Sequence, residues 1–551
     1  MGLKILLKSL NGYLKKLITE HHTNMQFSTD NPPSSQRVPV FAKNVVATSQ
    51  PIASQAGLEM LQSGGNAVDA ALAAAITLTI VEPTGNGLGS DAFAIIWDGK
   101  KLHGLNGSGR SPAGWSSEHF ANYQTMPELG WDAVTVPGGV GAWSELSRRF
   151  GKLPFMQLFE PAIRYAEEGF LVTPTIAFLW ADAAYRFEAF PEFTKVFLPE
   201  GKAPEAGDLF ISPQQARTLK KIAETGGETF YKGEIAQKIT AHAKATGGIM
   251  KASDLAAHKA EWVEPISQAY HGIEMHEIPP NGQGLAALIA LGLLRQYDIQ
   301  DYLPDSADSI HLQVEAMKIA FAEAHRYISD PAAMEIKPQA LLVDSFLAKR
   351  AEEICMDRAL YPKASIPNEK GTVYLAAADD GGMMVSYIQS NYMGFGSGIV
   401  IPGTGVSLQN RGNGFSLKAG HPNQVDGGKR PYHTIIPAFV TRNHQPVLSF
   451  GVMGGHMQPQ GHVQMVTRIF DYGFNPQEAS NAPRWCLTED FELALEAGIG
   501  DSVTADLVDR GHKIIPNPPV KLFGGAQLIA KIQDGYCAAS DHRKDGQAVG
   551  Y

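Results

Sequence analysis

The chain has 551 residues, 44% of them hydrophobic and 19% charged, enough for a large buried core and roughly two to four domains. A net charge of −10 excludes the basic face that a nucleic-acid binder presents. Three cysteines, Cys355, Cys486 and Cys537, with no CxxC spacing, exclude a disulfide scaffold or a zinc finger and fit a reducing cytoplasm.

Leu6, Leu10, Leu14 and Leu17 recur at helical spacing among Lys4, Lys8, Lys15 and Lys16. The stripe fits a helix on a membrane surface or, more plainly, a dispensable extension, since Met25 could also initiate. Lysines and Asn11-Gly12 interrupt the run and no small-residue cleavage site follows, so a signal peptide is excluded. Gly2 lacks the downstream hydroxyl residue that myristoylation needs. Residues 26–41 are polar and proline-containing. Residues 1–41 therefore read as a flexible extension, with order beginning near Ala42.

Ala53–Gln62 is predicted to be a helix stopped by Gly64-Gly65. Asn66 caps a second, alanine-rich helix from Ala67 to about Thr79, which carries Asp69 and ends before Glu82-Pro83. It falls short of the ~18 uncharged apolar residues of a membrane span, and no other segment does better. Ala92–Trp97 and Lys100–Leu105, around Asp98-Gly99, read as a β-hairpin. Residues 150–350 are mostly amphipathic helix, with Pro213–Glu224 and Ala307–Tyr327 as examples. After Pro362 comes a polar stretch, 363–370, then Thr372–Ala378 and Met383–Gln389 around Asp379-Asp380-Gly381-Gly382, a second hairpin. If Ala378 faces Met383, Thr372 lies opposite Gln389, with Asn391 just beyond. Strands flanked by helix-rich stretches predict an α+β chain of two antiparallel sheets covered by helices.

Several motifs run in order along this frame: Gly64-Gly65-Asn66-Ala67-Val68-Asp69-Ala70-Ala71, Glu82-Pro83, Gly87-Leu88-Gly89-Ser90-Asp91 and Gly428-Lys429-Arg430-Pro431. They continue with Gly454-Gly455, Asn481-Ala482-Pro483-Arg484 and Ala539-Ser540-Asp541. Together they resemble the γ-glutamyltranspeptidase family of N-terminal-nucleophile hydrolases over about residues 42 to 551. The resemblance implies a four-layer αββα sandwich and an inactive precursor that cuts itself before Thr372. It yields a large subunit, 42–371 with its extension, and a small subunit, 372–551.

That cut has a chemical logic. A threonine hydroxyl is a weak nucleophile until a base takes its proton. An N-terminal α-amine, with a pKa of roughly 7.7–8.0, supplies that base, whereas a peptide nitrogen cannot. The polar loop before Thr372 and the hairpin after it suit such a cut. By resemblance, the N–H groups of Gly454 and Gly455 hold the oxyanion. Gln389 stands where the family's transpeptidases carry a second threonine that orients the nucleophile. Asn391 matches a substrate-contacting asparagine, and Arg110 an arginine that grips the substrate carboxylate. Thr434 and His433 stand at two family serines. His433, His456 and His462 fit no common metal-ligand spacing, so neither metal nor cofactor is expected.

Two departures bear on substrate. By alignment Arg411 replaces a family glutamine, and Gly414 replaces the aspartate that binds the substrate's α-amine. A carboxylate is lost and a cation gained. Gln409-Asn410-Arg411-Gly412 and Pro431-Tyr432-His433-Thr434 are similar to the acylase and oxamate-amidohydrolase branch. The expected substrate is a small amide bearing a carboxylate, of oxamate, glutaryl or γ-glutamyl type. The rivals are a genuine γ-glutamyltransferase and an unprocessed, non-catalytic binding protein. The two subunits from one precursor are the expected partners, with a homodimer of processed units left open and neither nucleic acid nor membrane expected.

Overall fold

The computed structural model describes residues 37–362 and 371–551, so the readings of the leucine stripe, of residues 26–36 and of the polar stretch 363–370 lie outside the described residues. Two seven-stranded antiparallel sheets dominate. One runs in the order Gln547–Gly550, Val45–Thr48, Val373–Ala378, Met384–Ser390, Asp91–Trp97, Leu102–Gly107, Glu261–Val263. The other runs Val40–Ala42, Gly535–Ser540, Gly525–Ile532, Gln445–Met453, Ala438–Arg442, Ile273–Glu277, Ile266–Tyr270.

Three apolar clusters define four layers. Between the sheets, Phe93, Ile95, Tyr374 and Ile388 of the first meet Phe439 and Ile529 of the second. On the outer face of the first sheet, alternate strand residues such as Ala94, Leu375 and Tyr387 pack under Leu72, Ile76 and other helical residues. On the outer face of the second, Val440, Phe450 and Leu528 pack under Leu288, Phe321 and their neighbours. The period-two alternation of the central strands divides their residues between these cores, which buries both faces. The architecture is the αββα sandwich expected.

The local signals explain the elements nearest the site. Helix Pro51–Gln62 ends at Ser63, with Gly64 at φ +88°. Helix Ala67–Val81 opens on a capping box: Asn66 Oδ1 accepts from the Val68 and Asp69 N–H groups, and Asp69 accepts from the Asn66 N–H. All of its residues are buried, which its small alanines allow by letting neighbours approach closely. Helices Pro213–Glu224 and Ala307–Tyr327 have the predicted bounds. Order starts earlier than Ala42, because strand Val40–Ala42 pairs with Tyr536–Ala538. Segments before and after residue 371 contribute strands to both sheets, so the chain on either side of Gly371 forms one interleaved body.

Candidate active site

Strand Val373–Ala378 starts just after Thr372, and Met384–Ser390 returns beside it with Val373 opposite Gln389 and Ala378 opposite Met384. Thr372 therefore stands level with Ser390, which corrects the expected pairing with Gln389. The turn supplies the reason. The Asp379 N–H donates to Met383 O at 3.1 Å, so Met383 belongs to the loop. The Asp379 carboxylate accepts from the Met383 N–H at 3.2 Å and from the Ala67 N–H, at the start of the alanine-rich helix, at 2.7 Å. A one-residue slip sends each side chain to the other face. Gln389 accordingly faces the helical layer: its Oε1 accepts from Trp143 Nε1 (2.9 Å) and Tyr387 OH (2.7 Å), and its Nε2 donates to Asn86 Oδ1 (2.8 Å).

Thr372 is only 4% exposed. Its hydroxyl donates to the carbonyl oxygen of Gly371 at 2.6 Å and lies 3.4 Å from Ser390 Oγ. Ser390 Oγ donates to the same Gly371 oxygen at 2.7 Å and accepts from the Tyr392 N–H at 2.7 Å. Gly371 has φ +129°, and a Cβ there would come within 2.5 Å of Gly394 N and 2.7 Å of Tyr392 O. Only glycine presents this carbonyl in this way.

Gly454 and Gly455 join strand Gln445–Met453 to helix Met457–Val466, with φ of +123° and +61°. Among the described residues neither N–H donates to an acceptor. Both sit at the positive end of a helix, a setting that favours an anion. The Gly455 carbonyl is held by Gln283 Nε2 at 3.0 Å, and Gln283 Oε1 accepts from Tyr432 OH at 3.0 Å. Gly454 packs against Gly524. Arg484 Nη1 donates to the neighbouring Phe523 carbonyl at 2.7 Å, and its Nη2 to Asp541 at 2.5 Å. Burial opposes the Asp541 charge, yet Arg484 and Arg543 hold its carboxyl well below the usual range. Two of the motifs read from the sequence thus form one buried brace behind the glycine pair.

A cavity of about 310 Å³ is lined by Gly371, Thr372, Gly454 and Gly524. Gly455 is not in its wall. Glu82 and Lys544 line it too, and burial pushes the Glu82 carboxyl up to about 7 while Lys544 pulls it down.

The remaining predicted residues stand apart from this cavity. Arg411 is 1% exposed, donates from Nη1 to Thr434 Oγ1 at 2.7 Å, and stacks over the Tyr392 ring at 4.3 Å. His433 Nδ1 accepts from the Ile435 N–H at 3.4 Å, which assigns the proton to Nε2, facing Asp91 Oδ2 at 3.1 Å. Burial, then Arg411 and Arg430, hold the His433 imidazole well below its usual pKa, so it is neutral. Burial pushes the Asp91 carboxyl up to about 7, against the pull of Arg411 and the Gly138 N–H. The cluster reaches Thr372 through Tyr392 and Ser390, and reaches Gly455 through Gln283, whose Nε2 also donates to Thr434 O at 2.5 Å. Asn391 is built into the scaffold, accepting from Ser90 Oγ (2.9 Å) and donating to Ser407 Oγ (3.1 Å) and Phe395 O (3.3 Å). Arg110, with a side chain 42% exposed, pairs with Asp330 at 2.7 Å and is not in the cavity wall. At Gly414 a Cβ would lie 2.5 Å from Tyr432 O, so the backbone leaves no room for a carboxylate side chain.

The histidines weighed as ligands lie apart in function: His433 faces Asp91, and His462 bonds Glu277 at 2.6 Å. Among the described residues the one group spaced for a metal is His311, Glu315 and His512, where Lys318 Nζ already donates to Glu315 at 2.8 Å. Ser390, Tyr392 and Gln283 escaped the sequence reading; a correct hairpin register would have found the first.

The layered αββα architecture, with Thr372 at the start of a central strand and Gly454 lining the same cavity, is that of the N-terminal-nucleophile hydrolases. The γ-glutamyltranspeptidase family profile matches residues 53–551, and the chain belongs to that family. It is an amide-hydrolysing or acyl-transferring enzyme of it. A glutathione hydrolase-like YwrD proenzyme of Bacillus subtilis is 36% identical over 93% of this chain and 99% of its own length. An oxamate amidohydrolase proenzyme of Klebsiella pneumoniae is 34% identical over 91% of this chain and 97% of its own. The crystal structure of a cephalosporin acylase from Bacillus halodurans superposes with a TM-score of 0.91, at 46% identity over 96% of this chain and 99% of that one.

Proposed function

We propose that the chain cuts itself between Gly371 and Thr372 and then uses Thr372 to hydrolyse an amide that bears a carboxylate. The observation that carries this is the 2.6 Å contact between the Thr372 hydroxyl and the carbonyl of the peptide to be cut, in a cavity shared with Gly454. Cleavage frees the α-amine, which takes the hydroxyl proton as Oγ attacks the substrate carbonyl. The Gly454 and Gly455 N–H groups receive the oxyanion, the amine of the substrate leaves with the proton, and water releases the acyl group. Interleaving of the two segments through both sheets keeps the subunits together.

The anion preference rests on Arg411. Arg411 stands where the family's transpeptidases carry a glutamine, and it adds a cation beside Thr434. Gly414 is closed to the carboxylate side chain that the family's transpeptidases place there to hold an α-ammonium. This favours an oxamate- or glutaryl-type amide over a γ-glutamyl donor, and agrees with the relatives named oxamate amidohydrolase and cephalosporin acylase. N-terminal analysis of the smaller subunit should read Thr372, and hydrolysis of oxamate or a glutaryl amide should exceed that of a γ-glutamyl anilide. A single uncut band on a denaturing gel returns the unprocessed binding protein to first place. Robust transfer to an acceptor peptide makes the chain a γ-glutamyltransferase.

A further inference from the structure

We infer that Gln283 is a positioning residue for amide turnover: its side-chain amide holds the Gly454-Gly455 elbow in register with the segment Tyr432–Thr434. The inference rests on Thr372 and the glycine pair acting as proposed above.

Gln283 is fully buried at the head of helix Gly284–Leu294. Its backbone is tied down, since its N–H donates to His433 O at 2.9 Å and Gly282 forms a parallel β-bridge with the same residue. From this fixed base the side chain reaches three places. Nε2 donates to Thr434 O at 2.5 Å and to Gly455 O at 3.0 Å, and Oε1 accepts from Tyr432 OH at 3.0 Å. Two carbonyls on one side and a phenol on the other assign the nitrogen and the oxygen of the amide. Both of its hydrogens are thereby engaged, one on each segment.

The elbow needs such a hold. Gly454 and Gly455 lie at φ +123° and +61°, where glycine has the freedom to turn its peptide planes. From their own segment, the Met457 N–H donates to Gly454 O at 3.1 Å and the Gln458 N–H to Gly455 O at 3.2 Å. Gln283 adds a hold from the other side of the cut, because it precedes Gly371 whereas the elbow follows it. In this buried setting the low dielectric strengthens the amide's bonds and makes an unpaired carbonyl costly. The same amide fixes Thr434, whose Oγ1 accepts from Arg411 Nη1 at 2.7 Å. One side chain therefore sets the spacing between the oxyanion donors and the proposed carboxylate contact. Gln283 itself exchanges no proton and forms no bond with substrate.

The test uses processed enzyme and whichever of the oxamate, glutaryl and γ-glutamyl amides wild type hydrolyses fastest. Gln283→Leu removes both donors and keeps a buried side chain. It should lower kcat by about 10²-fold, the loss for a group misplaced by about 1 Å, and leave KM within about threefold. A boronate with a terminal carboxylate, which captures Thr372 Oγ as a tetrahedral adduct, should bind about 10²-fold more weakly, while the free acid product binds as in wild type. Gln283→Glu should be slow above neutral pH, where a carboxylate faces two carbonyls. It should recover relative to wild type as pH falls, because burial raises its pKa and the protonated carboxyl regains one donor. Thermal unfolding separates misplacement from misfolding, and the Gln283→Glu pH profile decides the matter if Gln283→Leu does not fold. A folded Gln283→Leu that keeps the wild-type kcat, that loses only KM, or that stays uncut overturns the role of Gln283. So does equal weakening of boronate and product, or a ratio of Gln283→Glu to wild type that is flat with pH. A wild-type chain without a Thr372 amino terminus overturns instead the reading on which this one rests.

Discussion

Two corners of this site work by different physics. At the nucleophile corner, Gly371, Thr372, Ser390 and Gly454 present backbone groups and hydroxyls to the cavity. At the cation corner, Arg411, Asp91, His433 and Thr434 place titratable groups in a nearly dry interior. The first is tuned by geometry, so its substitutions should change rates and leave stability almost intact. The second stores electrostatic energy, so its substitutions should change affinity, stability and pH dependence together.

The sharpest way to break this contrast is Thr372→Ala. We expect no cleavage and a loss of amide hydrolysis of about 10⁴–10⁶-fold, with a melting temperature close to that of the uncut chain. Thr372→Ser should retain both steps. A large fall in melting temperature would show that the nucleophile corner is a stability element after all.

Arg411→Ala should raise KM for a carboxylate-bearing amide by about 10–100-fold, through loss of the proposed anion contact and of the hydrogen bond that holds Thr434. Cleavage before Thr372 should continue, which steady-state kinetics and a denaturing gel can check side by side.

Stability against pH distinguishes buried carboxyls of opposite sign. Asp91 is raised to about 7 when folded, so the native state binds its proton more tightly than the unfolded chain does. Its contribution is full below about pH 4 and lost as pH climbs toward 7. Asp91→Asn should flatten the denaturation-midpoint curve across that window. Asp541 is held well below its usual range, so its contribution is present above about pH 4 and is lost in acid. Asp541→Asn should cost about 3–5 kcal/mol at neutral pH, since it leaves Arg484 buried beside an uncharged partner.

The smallest effect belongs to Arg110→Ala. Its half-exposed pair with Asp330 is worth about 0–1 kcal/mol, and KM should move by less than about threefold. A KM change as large as that of Arg411→Ala would shift the anion contact from one arginine to the other.

Much of the frame was legible from local chemistry. Asn66 with Asp69 announces a capped helix, and Gly64-Gly65 its predecessor's end. The turn Asp379–Gly382 announces the hairpin that carries Thr372. The motif Asn481-Ala482-Pro483-Arg484 and Asp541 could be picked out as words, though their meaning as a salt-bridged brace required the fold. The register of the hairpin was not legible, because it depends on which turn residues bond each other, Asp379 N–H to Met383 O, and no residue pattern announces that choice. With the register wrong by one, Gln389 and Ser390 exchanged faces.

By itself, then, the sequence determined the frame: a capped alanine-rich helix, a hairpin headed by Thr372, and a chain whose alternating strands must be buried on both sides. Hydrophobic period and capping are properties of neighbours, so they can be read along the chain. Only the tertiary structure decided which hydroxyls meet the Gly371 carbonyl, and which arginine is buried and which is paired at the surface. Those choices depend on the hairpin register and on how deeply each charge is buried, and neither is fixed until the sheets have packed.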